Sequence, residues 1–375
     1  MDFFELTAIL DSMPSFDIPA ADCAVTLEGK LVYRHTVGFA DVDAKLPLTE
    51  DNTYRLYSAS KVSTCLGALL LVERVLLCLD DPVAKYLPEF GDLTVREEDG
   101  TVRPAKTVMT VRHLFSMTGG LDYDLESEQI LAAKKATNGL APTREVMKYL
   151  AKKPLSFDPG TRYQYSLCHD VLGAVIEVVS GMRFGEFLEQ NIFAPLGMKD
   201  TTFHPTEAQL QRMAWQYYNY DHRVNRYDDR SKENRFIFGP EYESGGAGLV
   251  STVNDYIKLG TMMCLGGISP EGVRICKPET LELMRTDQMD ENTFPGVFDK
   301  LTWQGYSYGL GVRTRVREMG KCLAPVGEFG WDGAMGAYLV IDPVNHLSLF
   351  YAQHESGHPW HHEAIRDAAY RSLKR

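Results

Sequence analysis

The residue pattern predicts an α+β fold: an antiparallel sheet flanked by helices and joined to a mainly helical domain. Three observations carry the prediction. Short apolar or alternating runs cluster near both ends of the chain, and apolar positions at helical spacing fill the middle. Runs of strands and runs of helices also replace the strict alternation of a doubly wound sheet. The sheet is therefore expected to be discontinuous in sequence. Residues 1–80 and 245–375 form the sheet domain, residues 81–244 the helical one, and the functional cleft lies at their interface. A chain of 375 residues buries enough core for two domains or one large one.

From the N-terminus, Ala24-Val25-Thr26-Leu27 and Leu31-Val32-Tyr33 flank Glu28-Gly29-Lys30, a hairpin within Cys23 to Phe39. Tyr54-Arg55-Leu56-Tyr57 then leads into Ser58, and Val62 to Cys78 reads as one long, mostly buried helix. Asp80-Asp81-Pro82 is an acidic cap with proline in the first turn of the next segment. From about Pro82 to Ala208 the chain reads as mainly helical. Val111 to Met117 is a short amphipathic helix stopped by Gly119-Gly120, and Asp170 to Val179 a longer one stopped by Ser180-Gly181. Tyr308 to Val316, Glu328 to Gly330, Ala337 to Ile341 and Leu347 to Gln353 form an antiparallel meander separated by Gly, Pro and Asn. Glu363 to Leu373 is a closing helix, and no repeat or low-complexity segment occurs.

Composition narrows the partners. A formal net charge of −12 argues against nucleic acid and anionic membranes, both of which reward a basic surface. Arg223, Arg226, Arg230, Lys232 and Arg235 lie among aromatics between Trp215 and Phe238. Asp221, Asp228, Asp229 and Glu233 nearly cancel them, so the segment reads as an aromatic-rich loop lining a cleft. Seven cysteines without a Cys-x-x-Cys pair suggest neither a disulfide framework nor a zinc ribbon, and Cys65 and Cys78 read as buried thiols. The acidic Met1-Asp2-Phe3-Phe4-Glu5 does not resemble a signal peptide, and the Leu66 to Val72 apolar run is too short to span a bilayer. A cytoplasmic protein without cofactor or metal is the expectation.

The residues most suited to chemistry are Ser58-Ala59-Ser60-Lys61. A serine hydroxyl is a poor nucleophile until a base takes its proton. At i and i+3 on a helix, Ser58 and Lys61 share a face, and the apolar run after Lys61 provides the burial that keeps an amine neutral. Ser58 also opens the helix, where free N–H groups and the macrodipole favour negative charge. Two other motifs compete. Gly305-Tyr306-Ser307-Tyr308-Gly309 matches the Gly-x-Ser-x-Gly elbow, with Asp332 or Asp342 and His346 or His354 in triad order. An elbow needs a helix after its serine, however, and Gly309 to Thr314 reads as strand. His354-Glu355-Ser356-Gly357-His358 matches a zinc-protease pattern that requires a helix, which Gly357 and Pro359 oppose; a polar loop is the reading there.

Ordered matches along nearly the whole chain give the Ser58 motif its context. They include Tyr54 to Lys61, Leu79-Asp80-Asp81-Pro82-Val83-Ala84-Lys85-Tyr86-Leu87-Pro88, Thr110 to Gly120, Pro195-Leu196-Gly197-Met198, Gly245 to Thr252 and Gly330-Trp331-Asp332-Gly333-Ala334. With these the sequence resembles the serine β-lactamase and penicillin-binding-protein superfamily, in particular its class C-like esterase and transferase branch. The resemblance implies a β-lactamase/transpeptidase-like fold, Ser58 as acylated nucleophile, Lys61 as its base and Tyr165 as the second-motif proton shuttle. It also implies an oxyanion hole from the Ser58 and Ala334 N–H groups, with Trp331, Asp332, Gly333, Tyr123 and Leu167 at the substrate. Two departures matter. Leu167 stands where penicillin-recognising members carry Asn, and Trp331 where they carry Lys or His, so a β-lactam carboxylate loses attractive partners and meets Asp332. A serine esterase or acyltransferase for a small ester or amide is therefore expected. A β-lactamase, a D-alanyl-D-alanine carboxypeptidase-like protein and an idle ligand-binding member of the fold are the alternatives.

Overall fold

The computed structural model describes residues 1–220, 223–226, 234–289, 304–356 and 361–373. Helix α1 (Phe4–Ser12) precedes the expected hairpin, β1 (Ala20–Leu27) and β2 (Lys30–Asp41). Glu28 and Gly29 take φ of 48° and 78° at its turn, the left-handed geometry that matches strand twist. Strands β3 (Leu46–Pro47) and β4 (Thr53–Arg55) lead to a single 3-10 turn, Tyr57–Ala59, and then helix α2 (Ser60–Glu73). That helix is shorter than Val62 to Cys78. Val75 adopts φ 60°, which ends it, and Val75 and Leu76 are left exposed. Cys78 is exposed as well, so of the two thiols expected to be buried only Cys65 is.

The middle of the chain is mainly helical: α3 (Val111–Phe115), α4 (Glu128–Ala136), α5 (Thr143–Leu150), α6 (Cys168–Ser180), α7 (Phe184–Leu188) and α8 (Glu207–Gln211). Gly181, at φ 70°, caps α6 as the Ser-Gly stop predicts. A small hairpin, β5 (Thr94–Arg96) with β6 (Val102–Pro104), interrupts this region and was not foreseen. A second hairpin, β7 (Tyr217–Tyr220) with β8 (Arg223–Arg226), lies in the aromatic-rich segment, of which Asp221, Asp228, Asp229, Arg230, Lys232 and Glu233 fall outside the described residues. Strand β9 (Val250–Thr252) pairs with β4, and helices α9 (Val253–Cys264) and α10 (Pro278–Arg285) follow.

The meander comprises β10 (Tyr306–Tyr308), β11 (Arg313–Arg315), β12 (Phe329–Asp332), β13 (Tyr338–Asp342) and β14 (Leu347–Ala352), followed by β15 (Glu355–Ser356) and α11 (His361–Leu373). The sheet runs β10-β11-β12-β13-β14-β1-β2-β3, antiparallel throughout, so strands from both ends of the chain form one sheet. Side chains alternate across it. Cys23, Val25, Tyr338, Val340 and Leu349 pack with Leu6 and Leu10 of α1 and Ile365 of α11. Ala24, Leu339, Ile341 and Phe350 pack on the other face with α9 and α2. Each fully buried aliphatic or aromatic side chain contributes roughly 1.5–3 kcal/mol, so this double-sided burial fixes the register that carries β12 to the site. Among the described residues no helix is long and apolar enough to cross a membrane.

Candidate active site

Ser58 follows β4 on the 3-10 turn, and the preceding Tyr57 holds φ 47°. A non-glycine residue in that region costs about 1–3 kcal/mol and persists only where its surroundings enforce it. Here they do: Tyr57 is buried and its hydroxyl donates to Gln216 Oε1 at 2.5 Å. Leu56 N–H bonds Leu249 O at 2.9 Å, and β4 pairs with β9, so the Ser58 turn is anchored to the segment that follows Gly246.

Lys61, one turn along α2, is wholly buried. Its Nζ lies 3.2 Å from Ser58 Oγ, 2.8 Å from Tyr123 Oη and 2.7 Å from the Gly246 carbonyl oxygen. A neutral amine has two hydrogens and one lone pair. Spending the hydrogens on Gly246 O and Tyr123 Oη leaves the lone pair for the Ser58 hydroxyl proton. Burial supplies the matching electrostatics and pushes the Lys61 ammonium down to about 7, against an opposing pull from Asp170.

Tyr165 bonds Ser58 and accepts from Trp331 Nε1 at 2.9 Å, while Lys61 Nζ stands 4.5 Å from its ring centroid. Burial, the largest influence, raises its phenol far above the ordinary range despite those two bonds. Of the two states open to it, phenolate or proton-carrying phenol, the resting site holds the phenol. Tyr123 stacks obliquely on Tyr165 at 5.4 Å and meets Phe236 edge-on at 5.4 Å, and burial pushes it well up too.

These groups open into a cleft of about 820 Å³ lined by Ser58, Tyr123, Tyr165, Phe236, Ile237 and Ala334, among others. Among the described residues no acceptor takes the Ala334 N–H. The other residues expected at the substrate are placed differently. Trp331 is 7% exposed and packs behind Tyr165 and Tyr308, and Leu167 is fully buried at the start of α6. Neither lines the cleft. Asp332 stands beside Arg313, and burial raises its carboxyl against that cation and Lys61. Gly333 presses on the chain before Ser58: a Cβ there would sit 2.2 Å from Leu56 O. Phe236 and Ile237 supply the apolar wall instead, from the aromatic-rich segment.

Sequence reasoning missed Asp170 and Gly246. Asp170, on the first turn of α6, is wholly buried, and its Oδ1 accepts from Ser244 Oγ at 2.7 Å and Tyr242 Oη at 3.0 Å. A Cβ on Gly246 would fall 2.6 Å from Asp170 Oδ2, 3.2 Å from Tyr123 Oη and 3.3 Å from Lys61 Nζ. Only glycine leaves room for these groups to converge. The one available signal was Asp170 itself, five residues past Tyr165 and followed by the apolar run Val171 to Ile176.

The competing motifs serve the fold. Ser307 lies on β10 and hydrogen-bonds Asp287, with strand β11 rather than a helix after it. Asp342 accepts from Val344 N and Asn345 N in the β13–β14 turn, where His346 has φ 52°. His354 accepts the Arg55 N–H at Nε2 and donates from Nδ1 to Ala214 O, so backbone groups occupy both ring nitrogens. His358 lies outside the described residues.

Comparison with known proteins gives the family and the fold. The family model described as Beta-lactamase matches residues 9–371. Protein Rv1367c of Mycobacterium tuberculosis is 30% identical over 86% of this chain and 82% of its own length. Esterase EstB of Burkholderia gladioli is 32% identical over 72% of this chain and 74% of its own. Among solved structures, EstCE1, a hydrolase with promiscuous acyltransferase activity, superposes with a TM-score of 0.79. It shares 26% identity over 98% of this chain and 97% of its own. The chain belongs to the Beta-lactamase family and has the fold of its serine hydrolases and acyltransferases.

Proposed function

We propose that this protein cleaves a small ester, or transfers its acyl group, through a covalent intermediate on Ser58. The observation that carries the reading is the buried Lys61 amine, 3.2 Å from Ser58 Oγ with its other two neighbours both acceptors. Ser58 Oγ attacks the carbonyl carbon as its proton passes to Lys61 Nζ. The oxyanion is met by the Ser58 and Ala334 N–H groups, each such donor being worth roughly 3–4 kcal/mol of barrier. Tyr165 relays a proton to the leaving alkoxide, the C–O bond breaks and acyl-Ser58 remains. Water or an alcohol then attacks that ester, gives its proton back through Tyr165 and Lys61, and Ser58 recovers its hydrogen. The acyl-enzyme is common to hydrolysis and transfer, and EstCE1 combines the two activities in one relative. Tyr123, Phe236 and Ile237 suit an apolar acyl or alcohol group.

A short-chain p-nitrophenyl ester should be cleaved with a burst of one p-nitrophenolate per active site, and mass spectrometry should place the adduct on the Ser58 peptide. Ser58→Ala should abolish burst and adduct; turnover that survives it, or that disappears only in Ser307→Ala, rejects the assignment.

Hydrolysis of a chromogenic cephalosporin should be slow or absent, because Leu167 and Trp331 replace polar carboxylate-binding groups and both are buried. Efficient turnover would favour the β-lactamase alternative.

A further inference from the structure

A buried amine that acts as base must lose its proton at working pH, yet lie close enough to an anion to take one up during reaction. Burial alone meets the first need and defeats the second. The surroundings of Lys61 show what meets both. From its own helix it faces Cys65, from α6 Cys168, His169 and Asp170, from β12 Asp332, and from the loops Tyr123 and Tyr165. Burial keeps nearly all of these neutral. The Cys65 thiol and both phenols are pushed well up, Cys168 to about 11, and His169 down to about 3. Two carboxylates remain among the described residues, and Asp332 has the guanidinium of the fully buried Arg313 as its main electrostatic partner.

Among the described residues Asp170 faces no such cation besides Lys61. Burial raises its carboxyl, and two hydroxyls, from Ser244 and Tyr242, oppose that by converging on its Oδ1, a pattern that favours the ionised form. Its Oδ2 makes no well-aligned hydrogen bond and is only loosely approached by the Gly246 N–H. Oδ2 and Lys61 Nζ both lie within 3.3 Å of the point where a Gly246 side chain would begin. The carboxyl is thus held buried beside the amine with one oxygen unsatisfied.

We propose that Asp170 is a positioning residue, the buried counter-charge of Lys61 that sets the pH above which the amine serves as base. This rests on Lys61 being the base that activates Ser58. The sign follows directly. The base-competent state has Asp170 ionised and Lys61 neutral, and it forms as one proton leaves. Removing the negative charge makes that proton leave more readily, so the acid limb of the rate profile moves to lower pH.

The test is the pH dependence of kcat/KM for a p-nitrophenyl ester in the wild type and in Asp170→Asn, which keeps an oxygen for Ser244 and Tyr242. The wild-type limb is expected near 7, from the lowered Lys61 affinity. In the variant it should fall by about one pH unit or more, the size of effect an opposite charge within about 4–6 Å produces. Ser244→Ala, which weakens the ionised carboxylate and leaves it in place, should move the limb the same way by less. An unmoved limb in a folded Asp170→Asn, with rates lowered equally at every pH, overturns the proposal in favour of a purely structural role. Carbon-13 NMR titration of the Lys61 Cε reads the same shift without catalysis. It separates failure of this proposal, an unshifted Lys61 titration, from failure of the esterase reading, a shifted titration in a protein that turns over no ester.

Discussion

Lys61→Met should lower kcat/KM for a p-nitrophenyl ester by about 10³–10⁴-fold while the protein stays folded, the scale of removing the base from a nucleophile–base pair. Methionine is similar in length and apolar, so it fills the channel between α2 and α6 that Lys61 occupies. It cannot take the Ser58 proton, and the Gly246 carbonyl and Tyr123 hydroxyl lose their donor. Each buried polar group so stranded costs about 1–3 kcal/mol. A second readout has a definite sign. The folded amine binds its proton with an affinity lowered from 10.5 to about 7. Between those values the unfolded chain holds a proton the folded chain lacks, so wild-type stability rises with pH through that window. Methionine abolishes this linkage. The melting temperature of the variant relative to the wild type should therefore climb as pH is lowered from about 10 toward 7. A variant that retains wild-type turnover removes Lys61 from the mechanism, and a melting difference independent of pH shows that the amine is not held neutral.

Gly333→Ala should be nearly as damaging, by another route. The new Cβ would stand 2.2 Å from the Leu56 carbonyl oxygen and 3.3 Å from Ala337 Cβ. The first contact is with backbone, which no rotamer change relieves. Gly333 N–H is also bonded to Ala337 O at 2.7 Å, so the end of β12 must move as a unit. That displacement carries the Ala334 N–H away from Ser58. Loss of one oxyanion donor corresponds to about 10²–10³-fold in kcat. Forcing extra volume into a packed interior adds about 1–3 kcal/mol of destabilisation. Rate and melting temperature should fall together and the melting difference should not vary between pH 7 and about 10, which distinguishes this variant from Lys61→Met. Wild-type kcat with a lowered melting temperature would mean that the Ala334 amide plays no part in the reaction.

Some of this was legible in the residues and some was not, for physical reasons. The meander and the first hairpin were plain because apolar alternation and Glu-Gly turn chemistry are local. Ser58 and Lys61 were plain because helical spacing alone places them together. The overrun of α2 to Cys78 arose because Val75-Leu76-Leu77-Cys78 is apolar, yet Val75 turns left-handed and only Leu77 of that run is buried. Trp331 was expected against substrate; its indole N–H is instead directed at Tyr165, a choice of face that periodicity does not report. The roles of Asp170 and Gly246 were missed for a deeper reason. They matter through a convergence of α2, α6 and the segment before β9, and sequence distance carries no trace of it.

The strand order of the large sheet bears on how the chain is made. Strand β1 lies between β2 and β14, so the partner on one of its sides leaves the ribosome long after it. Until then the nascent hairpin presents an open, apolar ladder of N–H and C=O groups, the kind of surface on which chains stick to one another. Ser58 emerges early and Ala334 late. Gly246, which accepts from Lys61, and β9, which pairs with the strand before Ser58, are likewise made long after the serine, so the amine is not enclosed beside it while the first part of the chain is being made.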